Sequence, residues 1–127
     1  MRFLSAFEGP IYAVMRVLFG LFFAMHGGQK LLGFLDDPAN AEQLGALFWP
    51  ATVLELGGGL LIALGLYSRI AAFLCSGMMA FAYFVVHVGS IGGILPLQNQ
   101  GEPAALYCWI FLFIAAKGPG MWAANDK

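Results

Sequence analysis

Four long apolar stretches alternate with short polar breaks along the chain: residues Ile11–Leu32, Phe48–Leu66, Ile70–Val88 and Ala104–Lys117. A helix crossing about 30 Å of hydrocarbon needs roughly 20 residues, and the first three stretches have that length. The fourth is shorter. Pro103 can begin it, Lys117 can carry its ammonium out to the interface, and Gly118-Pro119-Gly120 stops it. The first stretch is too long for the core of a signal peptide, and no small-residue cleavage site follows it, so it is expected to stay in the protein. The pattern predicts an all-α fold: an integral membrane four-helix bundle, antiparallel, forming one domain over residues 1–127.

The connections refine this picture. Only Tyr67-Ser68-Arg69 separates the second and third stretches, which forces an antiparallel hairpin. In the first of the longer links, Asp36-Asp37-Pro38 reads as a turn and Ala39–Leu47 as a short interfacial helix leading into Trp49-Pro50. The second, Gly89–Glu102, is rich in glycine but also carries Ile91, Ile94, Leu95 and Leu97. So apolar a link is expected to fold back as a lid over the mouth of the bundle. Small residues form stripes where helices can approach closely: Gly20, Ala24 and Gly28 on the first helix, Gly59 and Ala63 on the second, Ala72, Ser76 and Ala80 on the third.

Composition decides the solvent. Of 127 residues 61% are hydrophobic and 10% charged, with a mean hydropathy of +0.81. A soluble domain has about a quarter of its residues charged. The bilayer is therefore the expected partner. A net charge of −1 without a basic run gives no nucleic acid a place to bind. Arg2, Arg16, Arg69, Lys117 and Lys127 fall on the side of the termini, while Asp36, Asp37, Glu42 and Glu102 fall opposite with Lys30. Basic residues flanking crossing helices stay in the cytoplasm, so both termini are expected there.

Against this apolar background a few polar positions stand out. Glu55 lies within the second stretch, where a carboxylate costs a few kcal/mol unless it pairs, lines a cavity or works. His26, Gln29 and Lys30 are spaced i, i+3 and i+4, so they share one helical face. By helical rise His26 is level with Glu55, roughly 10 Å below the outer edge. His87 closes the third stretch and Glu102 opens the fourth, both on the outer side. Each predicted helix thus offers a polar group to the same half of the bundle, as a site between helices requires. Arg16, on the cytoplasmic half, is expected to snorkel.

Other chemistries are less well provided for. Cys75 is expected near the inner end of its helix and Cys108 near the outer end of the next, too far apart for the roughly 7 Å that a disulfide tolerates. No C-x-x-C and no glycine-rich phosphate loop occur. His26 and His87 sit on different helices, the minimum for bis-histidine haem. Their expected depths differ by several Å by helical rise, and a Lys and a Glu beside an iron porphyrin argue against haem.

Arg16–Phe34, RVLFGLFFAMHGGQKLLGF, followed by LELGGGLLIALGLYSRIAAFL from Leu54 and NQGEPAALY from Asn99, resembles the DoxX family of small four-helix membrane proteins. The likeness rests on a combination: R-x-x-x-G with H-G-x-x-K, then E-x-x-G-G and a Gly-x-x-x-Arg hairpin. Arg16, His26, Lys30, Glu55 and Glu102 fall where the family keeps polar residues. Some members have a polar pair where this chain has His87 alone. The resemblance implies a bacterial inner-membrane protein serving a quinone-linked or oxidative-stress redox system. A quinone headgroup or small substrate would then lie between Glu55 and His26 as proton-handling groups, held by Lys30, His87, Glu102 and Gln29. Phe22, Phe23, Tyr83, Phe84 and Tyr107 would offer a ring lining. Two other classes stay open: a non-catalytic anchor for a soluble oxidoreductase, and a small-solute carrier, which would need a homo-oligomer because four spans show no internal repeat.

Overall fold

The computed structural model describes residues 1–36 and 45–127, leaving aside the side chains of residues 34–36, and every regular element among them is helical. A single turn, α1 (Arg2–Ser5), precedes α2 (Glu8–Asp36). With 29 residues α2 is about 44 Å long, more than a bilayer's hydrocarbon needs. Then come α3 (Gly45–Leu64), α4 (Ser68–Ile91), the short α5 (Pro96–Asn99) and α6 (Glu102–Lys117). Residues Glu8–Gly33 of α2, together with α3 and α4, are long and apolar enough to cross a membrane. The 16 residues of α6 reach about 24 Å. The turn expected at Asp37-Pro38 and the helix expected over Ala39–Leu47 lie, up to Leu44, outside the described residues.

Neither α3 nor α4 is a uniform α-helix. Residues Leu54–Gly58 of α3 and Tyr83–Ile91 of α4 are wound as π-helix, with i→i+5 hydrogen bonds. Such wide turns are rare and often mark functional sites.

The small residues explain how the helices meet. A Cβ on Gly20 would stand 2.5 Å from the Ala63 backbone nitrogen, and one on Gly59 would stand 2.6 Å from the Gly20 carbonyl. The α2 and α3 backbones therefore touch, as glycine alone permits. Further along, Gly27 and not Gly28 faces α3: a Cβ on Gly27 would collide with Leu56, whereas Gly28 has open space. Ser76 of the α4 stripe donates to the Cys108 carbonyl of α6 at 2.7 Å. The rings of Tyr12, Phe19 and Phe23 on α2 pack edge-on or tilted against Phe113, Tyr107 and Phe111 of α6.

The Ser76–Cys108 bond also revises the expected depths of the cysteines. Cys108 and Ser76 share one level, so Cys75 is not far from it in depth. What separates the thiols is direction: Cys75 turns to the Leu54 carbonyl of α3, 3.5 Å away, on another face of α4. Both cysteines are free.

Both termini lie at one end of the bundle, and polar side chains tie that end shut. Arg16 is fully buried and does not snorkel. Its Nη1 donates to the Ile62 and Ala63 carbonyls, both at 2.8 Å, and its Nη2 to those of Met121 and Trp122 at 3.2 and 3.0 Å. The first pair are carbonyls of the last turn of α3, where helical donors run out: Ile62 also accepts from the Gly65 amide at 3.1 Å, and the guanidinium adds a second donor there and one for Ala63. Arg69 treats α6 in the same way, donating to Ala115, Ala116 and Lys117. Tyr12 donates to Gly118 at 2.6 Å. The last residues then run along the α3–α4 turn, where Ala124 and Asn125 donate to Leu64 and Gly65. Gly65 needs to be glycine: its φ is +68° and a Cβ would meet Ala123.

Candidate functional site

The opposite half of the bundle holds a cavity of about 300 Å³ between α2, α3, α4 and α6. Its polar groups are few. Glu55, 5% exposed, sits in the π turn of α3. Lys30 reaches it from α2, Nζ to Oε2 at 2.5 Å. A carboxylate and an ammonium so close in a largely apolar setting form a charge-assisted bond, stronger than a neutral one. The remaining surface is dominated by apolar side chains such as Leu54, Met79 and Ala82.

Two histidines complete the polar lining. His26 stands one turn before Lys30 on α2, with its ring edge-on to Tyr107 at 6.1 Å between centroids. His87 belongs to the π segment of α4, and its Nδ1 lies 3.0 Å from the Asn99 carbonyl. A carbonyl only accepts, so that bond puts the hydrogen on Nδ1 and leaves Nε2 an acceptor in the neutral ring. Asn99 is itself fully buried; it donates to the Gly93 carbonyl at 2.9 Å and accepts from the Gly101 amide at 2.8 Å. This asparagine folds the α4–α6 link back on itself and so fixes the histidine.

The structure thus brings His26, Lys30, Glu55 and His87 to one cavity and leaves Gln29 and Glu102 off it. Gln29 is exposed, one residue around the helix from Lys30. Glu102 is exposed in the first turn of α6, and that helix reaches the cavity through Pro103, Ala104 and Tyr107 instead. Of the expected rings, Phe23 and Tyr107 line the cavity. Phe22 and Phe84 are exposed on the outer faces of their helices, and Tyr83 instead bonds the Ile94 carbonyl. The link after α4 is no lid: Ile94, Leu95 and Leu97 point outward, Leu97 at 89% exposure, and none of them lines the cavity.

Other lining residues went unnoticed in the sequence. Pro50, Met78, Ala82 and Val86 are apolar positions in apolar helices, with nothing to set them apart from packing residues. The π winding that carries Glu55 did have a trace, the run Gly57-Gly58-Gly59 at its end, since glycine pairs weaken regular helix. Among the described residues, no three His, Cys, Asp or Glu side chains gather as a metal site would require.

Apolar crossing helices, a seam of touching glycines and a cavity floored by an ion pair define a helical multi-pass membrane protein. The chain belongs to the DoxX family, whose model matches residues 11–88. It is 36% identical to a Haemophilus influenzae protein named only as uncharacterized, over 100% of this chain and 97% of that one. It is 27% identical to the inner membrane protein YqjF of Escherichia coli, over 88% of this chain and 87% of the relative. No solved structure matches it.

Proposed function

We propose that this protein is an inner-membrane subunit of a redox system and that its cavity binds a quinone headgroup. The observation that carries the reading is the Lys30–Glu55 pair, closed at 2.5 Å on the floor of a chamber that is otherwise apolar but for two histidines. A quinone needs a donor at a carbonyl oxygen and, on reduction, a route for protons. Lys30 can turn from Glu55 to donate to one oxygen. Glu55, released, can accept and pass on a proton. His87, with Nε2 as acceptor, suits the hydroxyl of the quinol rather than the carbonyl of the quinone. His26 lies beside Tyr107, one turn from Lys30, a second proton-handling group. Reduction takes two electrons and two protons; the electrons would come from a soluble oxidoreductase docked on the protein, and the residues named here handle only the protons.

In this reading α6 is a fourth crossing, shortened but capped at its end by Arg69, and both termini face the cytoplasm because five of the six basic residues gather there. Cysteines introduced at Lys127 and at Leu97 should react with an impermeant maleimide from opposite faces of the membrane.

The binding test is a titration of the purified protein with a tailless benzoquinone. Glu55→Gln and Lys30→Met should each bind it about tenfold more weakly or worse, the loss of one charge-assisted hydrogen bond. Equal affinity in all three proteins would overturn the reading. One observation favours an alternative: Lys30 and Glu55 satisfy each other directly, as the ends of a purely structural strut would. In that case the protein anchors its soluble partner, which should co-purify equally well with the Glu55→Gln variant.

A further inference from the structure

We infer that the cavity is filled sideways from the bilayer, through a cleft between the loop-end halves of α3 and α4, and that its ligand is an amphiphile with one compact head and an apolar tail left lying in that cleft. The inference rests on the proposed binding of a quinone-like head and adds the route and the tail.

Three of the four seams around the cavity are bridged by close contacts. Between α2 and α3, Gly20 meets Ala63, Gly27 meets Leu56, and Lys30 bonds Glu55. Between α2 and α6, the rings of Phe19, Phe23 and His26 all rest on Tyr107. The seam between α4 and α6 is pinned at two levels: Ser76 bonds Cys108, and a Cβ on Gly101 would stand 2.7 Å from the Tyr83 ring. Helices α3 and α4 touch closely only towards the terminus end, where Gly58 and Leu54 lie against Cys75.

Beyond that point the two helices become walls. Pro50 and Leu54 face the cavity from α3; Phe81, Ala82 and Val86 face it from α4. All are apolar. Pro50 is exposed and so is Phe81, at 49%, so the rim of the cleft opens outwards between two membrane-crossing helices. At that depth the surroundings are lipid, where a polar solute could not wait but an alkyl chain leaves no unsatisfied group.

Size decides the rest. About 300 Å³ is at the small end for ligand sites, which run from roughly 300 to 1,000 Å³. It takes a substituted ring. It does not take a lipid-length chain as well, so the chain must pass out through the cleft.

The test uses the full-length protein in nanodiscs and a benzoquinone bearing a photoreactive diazirine in an alkyl tail. After irradiation and digestion, label that an excess of the unmodified quinone suppresses should lie on peptides covering residues 47–54 and 81–86. The Lys30→Met variant should lose this suppressible label and keep the diffuse background. Suppressible label on α2 or α6 alone would overturn the lateral route while leaving a quinone in the cavity. So would cleft label that survives Lys30→Met, since the tail would then not report a head bound at the ion pair. With no suppressible label anywhere, the cavity holds no quinone, and the proposed function falls together with this inference.

Discussion

The two ends of the bundle use their polar residues in different ways. At the terminus end Arg16, Arg69 and Tyr12 spend their donors on backbone carbonyls, four of them on Arg16 alone. At the loop end Lys30 and Glu55 face each other across a cavity, with two histidines beside them. A carbonyl in a helix cap cannot move or change its charge, so an arginine bound to several is fixed in place. A lysine paired with a glutamate can exchange that partner for a ligand. In a protein with only 10% charged residues, this difference in partner separates structure from chemistry better than depth does.

Substitutions at the two ends should therefore fail in different ways. The largest effect is expected for Arg16→Leu, which removes four hydrogen bonds from the closed end. A loss of about 3–5 kcal/mol, seen as a protein that no longer melts cooperatively in detergent, is the expected outcome. Arg16→Lys should not rescue it, because an ammonium has no fork to span two pairs of acceptors. Next comes Gly59→Val in the α2–α3 seam, where overpacking against the Gly20 backbone should cost about 1–3 kcal/mol in denaturant titrations. Glu55→Gln keeps the shape and one hydrogen bond. Its stability should fall by only about 1 kcal/mol, leaving the protein folded, while quinone binding drops about tenfold or more, a split that no terminus-end substitution should reproduce. Glu102→Gln, on an exposed first turn off the cavity, should stay within about 0.5 kcal/mol and leave binding unchanged. If Glu102→Gln weakened binding as Glu55→Gln does, the boundary drawn here around the cavity would be wrong.

Much of this was legible in the sequence, for a physical reason. A polar residue in an apolar stretch is expensive, so Glu55, His26, Lys30 and His87 stand out even before their neighbours are known. The hairpin at Tyr67-Ser68-Arg69 follows from its brevity. What could not be read were features whose partners are backbone atoms. Arg16 looks like a residue free to snorkel because the carbonyls of Met121 and Trp122 carry no signature in the sequence. The choice of Gly27 over Gly28 for the seam depends on helix rotation, which α3 sets by contact at Leu56. The link holding Ile94, Leu95 and Leu97 looked like a lid because apolar residues suggest burial, yet near a bilayer such side chains can be covered by lipid. Phe84 is kept out of the cavity by the rotation of α4, whose lining face is set by packing and not by any hydropathy pattern.

The clamp around Arg16 has a consequence for how the protein is made. Two of its four acceptors lie 105 and 106 residues further along the chain. At roughly 5–20 residues per second, a ribosome needs from about 5 to 20 s to supply them after the arginine has emerged. During that interval the first helix carries a guanidinium whose native surroundings do not yet exist. The burial of Arg16 is complete only once residues 121 and 122 have joined Ile62 and Ala63 around it, so a late segment completes the site of an early helix. Removing the segment after Gly120 should then mimic the loss of Arg16 itself, even though the deleted residues form no helix of their own.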